Sequence, residues 1–435
     1  MRRAAFLLGA ALLPGGGLAQ ERTVQPPGPA LPLAVSPAVA PDPDPAVPEA
    51  WRPPASFGEW SSSIKLGLQL NAGIVGNVSN TGSQTNFGQL LTDKANRPIL
   101  NQVLLSAQRD VDPKATGYDF GFKLALLYGS DARIVHTLGV FDRLIHDRNQ
   151  LDLLEANATA RLPWLFGGGI DVKAGLYPTP LGYETIDPKG NPFYTKSYIF
   201  NYGLPFKHLG LLTTSHVTPT VDFYLGVDSG TNTSVGLYGG DNNNRPGGIF
   251  GVGLNLSDKL TVLALSHVGP ENARRNTPFA NRAMRYYNDA LITYKYSDKL
   301  TFTTEFNYVK DDGFRAEAYG AAQYVSYALT ETLTVNARAE VYRDNNNFFV
   351  ANPVSDRDYI NFQRGDFSRF ITSPKPTTYS EFTLGLAWKP SYPPLNTLVV
   401  RPEIRYDRAL NGTRVYNGGR DSGQVTVSAD AVLGF

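Results

Sequence analysis

The chain has no cysteine in 435 residues and only two methionines, Met1 and Met284. Without cysteine there is no disulfide framework, no thiolate metal site and no cysteine nucleophile. Charge is also scarce: Asp, Glu, Lys and Arg make up 18% of the residues, against about 25% in a typical soluble domain. Formal net charge is +1, and loss of a leader carrying Arg2 and Arg3 but no acid leaves −1. Neither value supplies the basic surface that nucleic acid requires, so no nucleic-acid partner is expected. Past the leader no window holds the roughly 18 apolar residues of a membrane-spanning helix. Present in quantity are glycine (42), proline (31), tyrosine (23) and phenylalanine (23).

Met1-Arg2-Arg3 is basic, Ala4 to Leu13 is apolar, and Gly17-Leu18-Ala19 sets small residues before Gln20. This is the layout of a cleaved secretory signal over residues 1–19. Pro14 and the glycines behind it end the apolar run too soon for a buried helix. Residues 20–57 follow, with eleven prolines between Pro26 and Pro54 and few large apolar side chains. Such a stretch cannot bury enough surface to offset its ordering entropy, so an extended, disordered linker in the periplasm is expected.

From residue 58 to 435 the pattern changes to period two. Ile64, Leu66, Leu68, Leu70, Ala72 and Ile74 are separated by Lys65, Gly67, Gln69, Asn71 and Gly73. Phe120, Phe122, Leu124 and Leu126 alternate with Asp119, Gly121, Lys123 and Ala125, and the run from Gln424 to Phe435 repeats the scheme. Side chains on a strand point to opposite faces in turn, so each strand has one greasy and one polar side. The runs last about ten to twelve residues, longer than the usual five or six of soluble strands and matched to the 9–11 that a tilted strand needs to cross a bilayer. With no spanning helix, only a closed barrel satisfies every backbone group in lipid.

Strands are expected near 62–74, 99–109, 118–128, 151–162, 170–177, 207–216, 219–227, 248–256, 260–268, 285–296, 300–309, 316–329, 333–343, 377–388, 397–407 and 424–435. The fold class is therefore all-β, an antiparallel up-and-down transmembrane β-barrel of about sixteen strands. Poor alternation near 99–109, 207–216 and 260–268 leaves fourteen or eighteen open. Short connections, Ser257-Asp258-Lys259, Ser297-Asp298-Lys299 and Thr330-Glu331-Thr332, are near-copies with turn-forming residues. The connections 75–98, 129–150, 178–206, 228–247 and 344–376 are long. Short periplasmic turns and long outer loops are the bacterial barrel arrangement, and it puts Trp60, Trp164 and Trp388 at the periplasmic interface.

Several segments resemble the OmpL-like β-barrel porins of Gram-negative bacteria. They are Leu100-Asn101-Gln102-Val103-Leu104-Leu105 with Arg109, Gly175 to Glu184, Asn201 to Gly210, and the strand Val221 to Gly226. The likeness covers most of the chain after residue 60 and implies an outer-membrane channel with no catalytic residue and no cofactor. Outer-membrane barrels commonly end on a strand with a terminal Phe, as Phe435 does here, and this implies the barrel assembly machinery as a partner beside outer-membrane lipid and small hydrophilic solutes. Sixteen-stranded porins are often trimers, so a homotrimer stays open; one sequence identifies no interface.

An Arg or Lys facing lipid at the midplane costs about 2–4 kcal/mol, which assigns the charged strand positions to the lumen. These are Lys65, Asp119, Lys123, Glu155, Arg161, Asp171, Lys173, Glu305, Arg338, Glu340, Glu381, Arg401, Glu403, Arg405, Asp407 and Asp430. Acids and bases neighbour one another on the same faces, which predicts local ion pairs and weak charge selectivity.

General porins fold a loop after the fifth strand into the lumen. Here Pro178, Pro180, Pro188 and Pro192 keep 178–206 from pairing as strand. Inside the pore, Glu184, Asp187 and Lys189 would form one side of a constriction, opposite Lys65, Lys123, Arg401 and Arg405; a loop over the outer mouth is the alternative.

Tyrosine and phenylalanine could form a slide for a sugar, although interface girdles account for most of them. The five histidines, His136, His146, His208, His216 and His267, come with no Gly-x-Ser-x-Gly or His-Glu-x-x-His motif. Asp241 to Asn244 and Asp344 to Asn347 offer oxygens to Ca²⁺ but lack EF-hand spacing. The expectation is an outer-membrane porin passing small hydrophilic solutes and ions by diffusion. A substrate-selective nutrient channel for a sugar or organic anion, and a non-conducting surface barrel or enzyme, are the alternatives.

Overall fold

The alternating runs become strands, and the strands close on themselves. The computed structural model describes residues 57–79, 84–112, 115, 117–142, 144, 147–236 and 239–435. The expected signal and nearly all of the expected linker lie outside these residues.

The first thirteen strands are β1 (Lys65–Asn77), β2 (Pro98–Arg109), β3 (Asp119–Gly129), β4 (Gln150–Leu162), β5 (Ile170–Pro178), β6 (Lys207–Thr218), β7 (Val221–Thr231), β8 (Gly247–Ser257), β9 (Leu260–Pro270), β10 (Met284–Lys295), β11 (Leu300–Asp311), β12 (Ala316–Ala328) and β13 (Leu333–Asp344). A two-stranded ribbon, β14 (Ala351–Pro353) and β15 (Phe370–Thr372), follows outside the barrel. β16 (Thr377–Trp388), β17 (Thr397–Ala409) and β18 (Gly423–Gly434) complete the wall. All sixteen wall strands pair antiparallel with their neighbours, and β18 pairs with β1 from Gln69 opposite Gly434 to Asn77 opposite Thr426. The count is sixteen, and fourteen and eighteen are excluded. Among the described residues three short α-helices lie outside the wall, α1 (Phe57–Ser62), α2 (Ala132–Val135) and α3 (Asp358–Arg364), and the connection before β6 adds a π-helical turn, Ile199–Gly203. No helix among the described residues is long and apolar enough to cross a membrane.

The barrel is greasy outside. Phe306 is 50% exposed while its neighbours Glu305 and Asn307 are 1% and 4% exposed, so successive residues of β11 face opposite media. Phe120, Leu124, Leu225, Phe250, Phe382, Ile404 and Val427 continue the outer belt. At the short-turn end, the three near-copy turns fold alike. Ser257 Oγ accepts from the N–H groups of Lys259 and Leu260, Ser297 Oγ from Lys299 and Leu300, and Thr330 Oγ1 from Thr332 and Leu333. A hydroxyl that accepts two successive amides reverses the chain without needing glycine. Trp164 and Trp388 lie at this end, each about half exposed.

The interior departs from a uniformly wet lumen. Leu104 of β2, Leu212 of β6 and Leu265 of β9 point inward and are buried in one apolar cluster with Phe87, Phe193, Tyr198, Ile199 and Phe200 from the inward-folded connections. That packing explains why these three strands alternate poorly: around these leucines their inner faces meet protein as well as water, and need apolar side chains there.

Candidate functional site

Connection 178–206 runs inside the barrel. Asn191 shapes its tip, its side-chain oxygen accepting from the Thr185 N–H at 2.8 Å and its amide donating to the Thr185 and Asp187 carbonyls at 2.8 and 2.9 Å. The Asp187 carboxylate starts a single 3₁₀ turn, Pro188–Gly190, by accepting from the Lys189 N–H. A non-repetitive segment buried in a barrel must find partners for its backbone groups, and charged wall side chains provide them. Glu403 accepts from the N–H groups of Tyr194 (2.8 Å) and Thr195 (3.0 Å), and Glu340 from those of Tyr198 (2.7 Å) and Ile199 (2.8 Å). Glu305 accepts from the Tyr183 N–H. Arg401 donates to the Pro188 and Asn191 carbonyls and Arg405 to that of Lys196. The loop lies close to the wall where side chains are absent: a Cβ on Gly73 would come within 2.6 Å of the Tyr194 ring, and one on Gly320 within 3.4 Å of Ile199.

This arrangement sorts the sequence-derived residues into two groups. Glu305, Arg338, Glu340, Glu381, Arg401, Glu403, Arg405, Asp407 and Asp430 point inward but are sealed beneath the loop, each at most 5% exposed. Arg338 grips Glu381 at 2.9 and 3.0 Å and Glu184 of the loop at 2.9 Å, Arg401 pairs with Asp430, and Arg405 pairs with Asp407. They hold the loop; they do not border open space, because the loop lies flat on the wall from β11 to β18. Glu184 is sealed with them.

The second group borders a cavity of about 500 Å³ between the loop and the opposite wall, β2 to β7. Lys123, Glu155, Asp171 and Lys173 line it from the wall, and Asp187 and Lys189 from the loop. Lys123 pairs with Glu155 at 2.5 Å, Arg161 with Asp171 at 3.0 Å and Lys189 with Asp187 at 3.1 Å. Lys173 has no ion-pair partner within 4 Å among the described residues. Lys65 sits on the short-turn rim against Asp110 at 3.4 Å, and Asp119 pairs with Arg109 at 2.8 Å. Of the four wall cations expected opposite the loop, only Lys123 faces it across open space; Lys65 lies at the rim, and Arg401 and Arg405 are covered.

Two features have no linear signal in the sequence. At the long-loop end a second cavity of about 270 Å³ is lined mainly by aromatic and amide side chains drawn from nine separate segments. His208, Asp228 and His267 also come together from β6, β7 and β9, all fully buried, with Asp228 3.2 Å from His208 Nδ1 and 3.1 Å from His267 Nε2. Their ligating atoms lie close enough to hold a metal ion; as they stand Asp228 hydrogen-bonds His267 and lies at ion-pair distance from His208, whose other ring nitrogen meets the Thr179 hydroxyl at 3.2 Å. His136 and His216 each face an aspartate, Asp142 and Asp222, at 2.6 and 2.7 Å. His146 lies outside the described residues. Asp241 and Asp344 spend their carboxylates on the N–H groups of Asn243, Asn244 and Asn346, which is turn chemistry.

A closed sixteen-stranded barrel, apolar outward and carrying a folded-in loop, is a porin-type barrel of the outer membrane. The chain belongs to the OmpL-like β-barrel porins: the family described as "Putative beta-barrel porin-2, OmpL-like" matches residues 63–435. No curated protein matches the sequence significantly. Among solved structures, the chain is similar in fold to the outer-membrane channel DcaP of Acinetobacter baumannii (12% identity, TM-score 0.50, covering 86% of this chain and 97% of that one). It is also similar to OprB of Pseudomonas putida (14%, 0.52, 87% and 96%) and an anion-selective porin from Comamonas acidovorans (10%, 0.53, 86% and 99%).

Proposed function

We propose that this barrel is a narrow porin, in which small hydrophilic solutes and ions diffuse passively along the β2–β7 wall past the inner loop, with weak charge selectivity. The observation that carries this reading is the cavity of about 500 Å³ left between loop and wall, lined by both signs of charge and by polar side chains. Paired Lys123 and Glu155, or Lys189 and Asp187, present dipoles to a passing ion instead of one net sign. The signal peptide, the periplasmic linker and assembly as a homotrimer belong to the same proposal.

The test is ion current through the purified protein in a planar bilayer under a salt gradient. Stepwise conductance with a reversal potential near zero is expected. Lys173→Glu replaces an unpaired lumenal cation by an anion and is expected to move the reversal potential toward cation preference. Insertion without conductance would favour a non-conducting surface barrel. A second reading, a channel selective for one nutrient class, is favoured by the cavity at the long-loop end.

A further inference from the structure

The Asp228 carboxylate lies between the two buried rings of His208 and His267, with Oδ2 3.2 Å from His208 Nδ1 and Oδ1 3.1 Å from His267 Nε2. Only the second of these contacts is a hydrogen bond. His208 Nδ1 and Asp228 Oδ2 are both without a hydrogen-bond partner among the described residues, although they are near enough to share one. The distance suffices and the direction does not. His216 shows how an imidazole pairs with carboxylates elsewhere in the same wall: Nδ1 bonds Asp222 at 2.7 Å and Nε2 bonds Asp171 at 3.2 Å. Buried polar atoms are expected to be bonded, and a close nitrogen and oxygen that miss each other have the placement of two ligands turned toward a common third body.

A metal ion meets that description. With bonds of about 2.0–2.1 Å, neighbouring ligands in a tetrahedral zinc site stand about 3.3 Å apart. Both separations from Asp228 to the rings are close to this, and all three ligand atoms lie within 4.8 Å of one another. A ligating imidazole is also held from its far side, by a second partner on the other ring nitrogen. His208 Nε2 meets the Thr179 hydroxyl at 3.2 Å, and His267 Nδ1 lies 3.8 Å from Glu271 Oε1. Among the described residues neither Asp228 nor Glu271 has a Lys or Arg nitrogen within 4 Å. With both rings neutral, the group therefore carries two buried negative charges, which a divalent cation balances.

Gly247, at the start of β8, keeps the spot uncrowded. A Cβ there would come within 2.7 Å of His267 Nε2 and 2.9 Å of Asp228 Oδ1. Its φ is not positive, so the missing side chain answers to space and not to backbone conformation. The ligand types select the class of ion. Ca²⁺ and Mg²⁺ take oxygen ligands, whereas imidazole suits Zn²⁺, Ni²⁺, Cu²⁺ and Fe²⁺. Thr179 borders the larger cavity and Glu271 the smaller one, so the group lies in the wall between the two, one side chain away from each.

We propose that His208, Asp228 and His267 bind one divalent transition-metal ion of the zinc class, which fastens β6, β7 and β9 together at the root of the inner loop, where the Thr179 N–H bonds the Phe206 carbonyl at 2.8 Å. Full-length protein without a histidine tag is stripped with chelator in detergent micelles, reloaded with Zn²⁺ and dialysed, and the retained metal is counted by elemental mass spectrometry. One Zn²⁺ per chain is expected, undisturbed by excess Ca²⁺, and the loaded protein is expected to unfold at higher urea than the stripped protein. His208→Gln combined with His267→Gln is expected to lose the ion, with folding checked by heat-modifiable gel mobility, while His216→Gln keeps it. Should the double variant fail to fold, Co²⁺ loaded into the unsubstituted protein takes its place: X-ray absorption showing two imidazole ligands supports the site, and a shell of oxygens alone overturns it. No Zn²⁺ retained after dialysis, displacement by Ca²⁺, equal retention by the folded double variant, or loss of the ion in His216→Gln overturns the proposal as well.

Discussion

Leu124 and Lys123 are adjacent in β3 and face opposite media. Leu124 is 46% exposed on the outer surface at the middle of its strand, while Lys123 turns inward to Glu155. Leu124→Arg places a guanidinium in hydrocarbon at a cost of about 2–4 kcal/mol, and the folded fraction on heat-modifiable gel mobility is expected to fall sharply. Lys123→Glu exchanges one water-facing charge for another and is expected to fold, with its effect appearing in the reversal potential. Equal loss of folded protein in both variants would refute the assigned facing of β3. This level of detail is legible in sequence because alternation is a local property. Which inward charges touch water is not. Arg401 and Lys123 follow the same alternation rule, yet Arg401 is 1% exposed beneath the loop and Lys123 borders the cavity. The difference arises from Pro188 and Asn191, more than two hundred residues from Arg401.

The elements show where local patterning ends and tertiary packing takes over. Strands such as β11, β13 and β17 read clearly because one face meets lipid and the other carries charge. β2, β6 and β9 read poorly because Leu104, Leu212 and Leu265 on their inner faces support the buried loops. The ribbon β14–β15 and helix α3 within the connection after β13 had no periodic signal long enough to register. The inner loop is the element that connects fold to permeation, and Arg338 is its most concentrated anchor, joining Glu184 of the loop to Glu381 of the wall. Arg338→Ala leaves two carboxylates buried without their cation, which typically costs about 3–5 kcal/mol. Two outcomes are expected: a lower unfolding midpoint in urea, and larger, noisier single-channel conductance as the loop comes away from the wall. A destabilised protein with unchanged conductance would separate the loop from permeation.

At the scale of the whole molecule, the long-loop end is tied together by ion pairs that cross between connections. Arg133 and Arg148 both reach Asp93 at 2.6 Å, Arg364 of α3 reaches Asp142, and Arg275 reaches Asp366 at 2.5 Å. Burial alone would raise Asp93, but the guanidinium groups of Arg133 and Arg148 outweigh it and hold the acid below the ordinary carboxylate range. Asp142 is likewise held low against burial by its bonds to His136 and Arg364. The stability these two provide is present above the unfolded carboxylate value and is lost as pH falls through their lower folded values. Asp131 behaves in the opposite sense. Burial pushes it up from 3.8 to about 6, only partly opposed by the amides of Asn101 and Gln102. Between these two values the folded protein holds a proton that the unfolded chain has released, so stability rises as pH falls across the window. A shift of about two units corresponds to about 3 kcal/mol. Urea unfolding of the protein and of Asp131→Asn, each measured from pH 7 to pH 4, isolates this contribution, since Asp93 and Asp142 cancel in the difference. The unsubstituted protein is expected to gain on the variant by up to about 3 kcal/mol toward pH 4, and a difference independent of pH would mean that Asp131 is ionised in the folded barrel throughout the range.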